Sequence, residues 1–155
     1  ALRNDTEAVV STAKVRLADL DQFNDPNVVK VVCDQRGRAL YFSRSPLPSL
    51  ARVESGMGIL PMMGGTGKTE ETNMGKMPMP LFKHLGLYVY RKQALMDFAK
   101  LPQTPLEQIE KLEQLRYLEN GYAIQVVEAV SDCIGVDTPE DLSLLIRTFD
   151  QERLS

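Results

Sequence analysis

The chain contains no tryptophan, a single histidine, His84, and only two cysteines, Cys33 and Cys133, in 155 residues. Each scarcity closes a class of chemistry. A lone histidine has no second imidazole with which to share a transition metal, and the cysteines lie far apart, without the local pairs that zinc and redox motifs use. They read as free thiols serving as small apolar side chains, in keeping with a cytoplasmic protein. Basic excess is missing as well. Lys and Arg total 18 against 21 Asp and Glu, a formal charge of −3, so neither nucleic acid nor an anionic membrane is expected as a partner. Apolar runs such as the one around Val31 and Val32 have strand length, far short of the ~20 residues of a membrane-spanning helix. No signal-peptide pattern opens the chain, which starts at Ala1 and by Ala8 is already strand-like, as the middle of a longer protein would be.

What is present suits one soluble domain: 43% hydrophobic residues are enough for a real core. Ala8 to Val15 is rich in β-branched residues and reads as a strand, followed by a polar loop from Asp19 to Pro26. Val28 to Cys33 and Arg38 to Ser43 read as a hairpin, with Gly37 where its turn needs positive φ. Ser49 to Pro80 is different in kind. It holds Gly56, Gly58, Gly64, Gly65, Gly67, Gly75 and most of the methionines. With no period in it, it reads as a low-complexity insertion or mobile loop. Phe82 to Tyr90 reads as a strand and Gln93 to Ala99 as a short helix. Thr104, Pro105 and Glu107 then mark the capped start of a longer helix that Gly121 ends. Tyr122 to Val130 is a further strand. A last helix starts at Thr138 and Pro139, with Leu142, Leu145, Ile146 and Phe149 as its inner stripe. Strands alternating with helices, plus a hairpin, predict an α/β domain with a mixed sheet.

Gly64-Gly-Thr-Gly-Lys-Thr69 ends like a phosphate-binding loop, yet Met62 stands where that motif needs its first glycine, and no strand or helix flanks it. Other residues offer more. Arg44, at a strand end, is suited to fork onto a carboxylate, or is an ordinary solvated charge. His84 and Tyr88 are four apart in a strand and share a face, so they form a polar surface for hydroxyl groups if that face borders a cleft, and a structural pair otherwise. Glu113 falls beside the stripe of Leu106, Ile109 and Tyr117. With Gln114 it either reaches into a polar pocket or bends out to water. Asp137 ends a loop before the last helix, where it can serve as one of the few protein carboxylates on Mg²⁺ or simply belong to the capping region.

Asn27-Val-Val-Lys-Val-Val32, Ala39-Leu-Tyr-Phe-Ser-Arg44, His84-Leu-Gly-Leu-Tyr88, the run from Thr104 to Arg116 and Gly135-Val-Asp-Thr-Pro-Glu-Asp-Leu142 occur in an order that strongly resembles the C-terminal half of CMP-Kdo synthetases, the 3-deoxy-manno-octulosonate cytidylyltransferases. The resemblance implies a Rossmann-like nucleotidyltransferase fold and a homodimeric enzyme of lipopolysaccharide biosynthesis. Its reaction is attack of the anomeric hydroxyl of Kdo on the α-phosphate of CTP with Mg²⁺, giving CMP-Kdo and pyrophosphate. It further implies that Arg44, His84, Tyr88, Glu113 and Gln114 hold the sugar acid and that Asp137 is a catalytic magnesium carboxylate. The family's N-terminal CTP-phosphate loop and its Gly-Asp-Glu-Pro-type segment have no counterpart here. Residues 1–155 are therefore expected to be the C-terminal part of a single cytidylyltransferase domain, interrupted by the 49–80 insertion and inactive by itself. The alternatives are a cytidylyltransferase for another 2-keto sugar acid, such as an 8-amino analogue of Kdo, and a non-catalytic binding or dimerisation module.

Overall fold

The computed structural model describes residues 1–50, 80–132, 142–143 and 146–147. The Gly- and Met-rich stretch, all but its ends, and Asp137 with the cap of the last helix lie outside the described residues. Leu142 and Ile146, expected on that helix's inner stripe, are helical but exposed.

Five strands form one mixed sheet: β1 (Ala8–Arg16), β2 (Lys30–Cys33), β3 (Ala39–Ser43), β4 (Phe82–Tyr90) and β5 (Ala123–Glu128), in the order β3-β2-β4-β1-β5. Among the described residues only the β1–β5 pairing is parallel. The expected hairpin is present, and Gly37 turns it at φ 78°. A Cβ there would sit 2.8 Å from Gln125 Nε2 and 3.3 Å from Val126 O, so the turn requires glycine for space as well as for backbone freedom. Gly37 O also accepts from Val126 N–H at 2.8 Å, which ties the hairpin tip to β5.

The helices depart from expectation twice. The segment read as a polar loop contains α1 (Leu20–Asn24), because Asp19 caps it by accepting from Gln22 N–H at 2.7 Å and Phe23 supplies a buried anchor. The helix read as continuous from Thr104 is two helices, α3 (Pro105–Glu110) and α4 (Gln114–Glu119), following α2 (Lys92–Phe98). Lys111 breaks it at φ 57° and ψ 43°. The break rotates α3 relative to the assumed single stripe, so Ile109, expected inside, is 76% exposed, while Leu112, Leu115 and Tyr117 are buried. The capping box is half-formed: Glu107 accepts from Thr104 N–H at 3.3 Å, but the Thr104 hydroxyl has no partner. A side chain in the left-handed region is disfavoured relative to glycine, so Lys111→Gly is expected to raise stability by about 0.5–1 kcal/mol. Urea denaturation checks it, and a loss instead would show that the lysine side chain outweighs the backbone.

Val10, Val31, Phe42, Leu115 and Ile124 are at most 2% exposed and form the centre of the main core. A lysine is buried equally deeply. Lys30 is 0% exposed, and its Nζ donates to Asp25 O (2.8 Å), Val28 O (2.6 Å) and Arg44 O (2.6 Å). Each of its hydrogens meets a carbonyl, which is the condition for tolerating a buried ammonium. Burial pushes its pKa down, against the attraction of Asp25 and Glu110.

Candidate functional site

β4 does not pair evenly with β1. The register steps from Thr12↔Tyr88 to Ala13↔Leu85, so Gly86 and Leu87 arch out unpaired. Two extra residues leave the alternation of side chains unchanged, and His84 and Tyr88 stay on one face, with ring centroids 5.4 Å apart. From there a row of rings continues. Tyr88 stacks on Tyr90 at 5.7 Å, Tyr90 meets Tyr117 of α4 at 6.1 Å, and Tyr117 stacks on Phe98 of α2 at 4.8 Å.

Where this row meets the α3–α4 break it lines a cavity of about 250 Å³, bounded by Tyr88, Tyr90, Phe98, Lys111, Glu113 and Gln114 among others. That is slightly under the roughly 300–1,000 Å³ of usual small-molecule sites and suits a compact polar ligand. Glu113 precedes the first turn of α4 and makes no capping bond. It is exposed, whereas Gln114 is buried, with 7% of its surface exposed. Among the described residues no hydrogen bond takes up either side chain, so both are available to a ligand. Burial, reinforced by Tyr90 and Glu113, pushes the Tyr88 phenol well above its ordinary pKa; burial and Glu113 also raise that of Tyr90. Burial lowers His84 to about 4. At neutral pH the wall therefore offers protonated phenols, and the imidazole packed behind Tyr88 is uncharged, which suits hydroxyl recognition.

Arg44 stands apart. Its backbone N–H donates to Glu110 Oε2 at 2.9 Å, its Nε to Glu110 O at 3.1 Å and its Nη1 to Pro26 O at 3.1 Å. It is not among the residues lining the tyrosine cavity. The structure thus brings Tyr88, Glu113 and Gln114 together, sets His84 against Tyr88, and leaves Arg44 on Glu110 at the end of α3, outside the cavity lining. Asp137 lies outside the described residues. Sequence reasoning missed Tyr90, which alternation from Tyr88 would have placed on the same face. It also missed Glu110, which receives Ser43 Oγ–H at 2.7 Å and Tyr41 O–H at 3.4 Å as well as Arg44 N–H and so fixes the end of β3. Nothing in local spacing signals that role. A larger cavity of about 550 Å³ near the first residues is lined by Asp5, Glu7 and Arg38, whose charges are already paired with one another.

A sequence model described as "Cytidylyltransferase" matches residues 1–128. This chain belongs to the cytidylyltransferase family. The cytidylyltransferase chain is 48% identical over 141 residues to the 3-deoxy-manno-octulosonate cytidylyltransferase of Syntrophotalea carbinolica, covering 91% of itself and 51% of that protein. It is 49% identical over 137 residues to the one of Geobacter sulfurreducens, covering 88% and 50%. Among solved structures, CMP:2-keto-3-deoxy-manno-octonic acid synthetase complexed with CTP is similar with a TM-score of 0.77 and 32% identity, over 97% of this chain and 53% of that one. The chain spans about half the length of the curated relatives it matches. The resemblance read from five motifs is borne out, as is the mixed α/β sheet.

Proposed function

We propose that this chain supplies the sugar-acid side of a 3-deoxy-manno-octulosonate cytidylyltransferase, which transfers CMP from CTP to the anomeric hydroxyl of Kdo and releases pyrophosphate. The observation that carries the reading is the cavity in which Tyr88, Glu113 and Gln114 converge, in a chain nearly half identical to enzymes of that name. The Tyr88 phenol donates, the Glu113 carboxylate accepts, and the Gln114 amide does both, so the set matches hydroxyls that donate and accept in turn. Arg44 is the proposed partner of the Kdo carboxylate. Nε and Nη1 each already give one hydrogen to a carbonyl, which leaves Nη2 and the second Nη1 hydrogen for a ligand carboxylate.

Asp137 is proposed as a magnesium carboxylate on the strength of the motif it occupies. Among the described residues no cluster of three or more His, Cys, Asp or Glu could hold a metal. When bound, Mg²⁺ would offset charge on the phosphates. The chain's own residues hold and orient the sugar acid. Homodimer formation, cytoplasmic location and service to lipopolysaccharide synthesis complete the proposal. Among the described residues no helix is long and apolar enough to cross a membrane.

The test uses the complete cytidylyltransferase, meaning this chain within the full length its relatives have. Glu113→Ala is expected to raise KM for Kdo by about 10–30-fold with KM for CTP nearly unchanged, as loss of a charge-assisted hydrogen bond would. An unchanged KM for Kdo would remove Glu113 from the sugar site and the cavity with it.

A further inference from the structure

One hydroxyl sits where β1, the β4 arch and the single histidine meet. Thr12 is 3% exposed, and its Oγ1 lies 2.8 Å from His84 Nε2, 2.8 Å from Leu87 O and 3.1 Å from Leu85 O. A threonine hydroxyl has one proton to give, and carbonyl oxygens can only accept. If Oγ1 gave that proton to His84, its two carbonyl contacts would each set oxygen against oxygen with no hydrogen between them. Such an arrangement is repulsive and, at a buried site, unrelieved by water. The proton therefore goes to the carbonyls, and His84 Nε2 must bring its own hydrogen to Oγ1.

We propose that Thr12 is a positioning residue: its hydroxyl holds His84 as the neutral Nε2–H tautomer and pins the Gly86–Leu87 arch, which leaves His84 Nδ1 as an acceptor for a ligand hydroxyl beside Tyr88. Independent contacts restrain the same residue. The His84 backbone N–H donates to Val29 O at 2.8 Å, and Phe42 meets the imidazole edge-on at 5.0 Å. Among the described residues Nδ1 has no hydrogen-bond partner. A neutral imidazole has one donor and one acceptor nitrogen, so committing the donor to Thr12 determines what the other nitrogen can do. Beside it Tyr88 presents a donor. An acceptor and a donor side by side select a group that both gives and takes a hydrogen bond, which is what a polyol offers. The nature of that ligand rests on the sugar-acid reading; the tautomer does not.

His84 is the only histidine in the chain, so a long-range ¹H–¹⁵N spectrum shows one imidazole. At neutral pH the native chain is expected to give the Nε2–H pattern, Thr12→Val to lose it for a mixture of tautomers, and Thr12→Ser to keep it. A native Nδ1–H or imidazolium pattern overturns the proposal, and so does a Thr12→Val spectrum identical to the native one. If Thr12→Val does not fold, the native and Thr12→Ser spectra still decide. In the complete cytidylyltransferase, Thr12→Val is expected to raise KM for Kdo about tenfold with kcat within about twofold, and Thr12→Ser to restore it. No change in Thr12→Val where Glu113→Ala does raise KM overturns the positioning role. No change in either variant overturns the sugar-acid reading instead.

Discussion

A protein of these 155 residues alone is expected to release no measurable pyrophosphate from CTP and Kdo. Phosphoryl transfer is carried mainly by positioning and by neutralising charge on the phosphates. The chain has a formal charge of −3, and many of its described cations are engaged elsewhere. Arg38 is held by Asp5 and Glu7, Lys83 by Asp132, and Lys30 by three backbone carbonyls. Arg91 donates to the carbonyls of Leu2, Asp5 and Ala8. What the tyrosine cavity offers is suited to hydroxyls rather than to a triphosphate. Since enzymes supply at least about 10⁶-fold over the uncatalysed reaction, a chain that leaves the triphosphate without cationic partners should turn over at background. A coupled pyrophosphate assay with both substrates checks this. Sustained turnover would mean that the chain builds its own nucleotide site and that the division of labour proposed here is wrong.

The second large effect concerns the fold. Arg116 is the rivet of the helical layer: its Nε donates to Glu107 Oε2 at 2.7 Å, a second nitrogen meets Glu107 Oε1, and Nη1 reaches Leu101 O at 3.2 Å. Its guanidinium also lies 4.1 Å from the centroid of the Phe98 ring. One side chain thus joins α3, α4, the end of α2 and the loop that follows it. Glu107 is only 4% exposed, and the guanidinium beside it holds its pKa below the usual carboxylate range. Arg116→Ala would leave that buried carboxylate without its counter-ion and with only the Thr104 N–H, a change that costs about 3–5 kcal/mol. Native stabilities are only about 5–15 kcal/mol, so the variant should lose much of its margin. Urea denaturation with an unchanged slope and a strongly lowered midpoint is the expected result. A loss below about 1 kcal/mol would indicate a solvent-screened pair of the ordinary surface kind.

The strands were legible because alternation and β-branched content are local signals, and the hairpin because Gly37 has a local geometric duty. The helix break was not. Lys111 carries no glycine or proline mark, and its left-handed backbone is imposed by packing Leu112 and Leu115 into the core on a different rotation from α3. α1 escaped notice because five mostly polar residues have no periodicity, although Asp19 was a readable cap. His84 and Tyr88 could be paired from spacing only because the β4 arch inserts an even number of residues; a single-residue bulge would have separated them. Glu113 does reach a cavity, but because it begins a new helix rather than because it lies beside an apolar stripe. Thr12, Lys30 and Glu110 were invisible as anchors, since their partners are assembled by tertiary contacts.

The row of rings also gives the chain an optical property. With no tryptophan, its ultraviolet emission comes from five tyrosines. Tyr88, Tyr90 and Tyr117 line the cavity, Tyr122 packs against Tyr117 at 5.8 Å, and Tyr41 sits on Glu110. Four of the five emitters are therefore in or against the site, so intrinsic fluorescence is a label-free report on whatever occupies it.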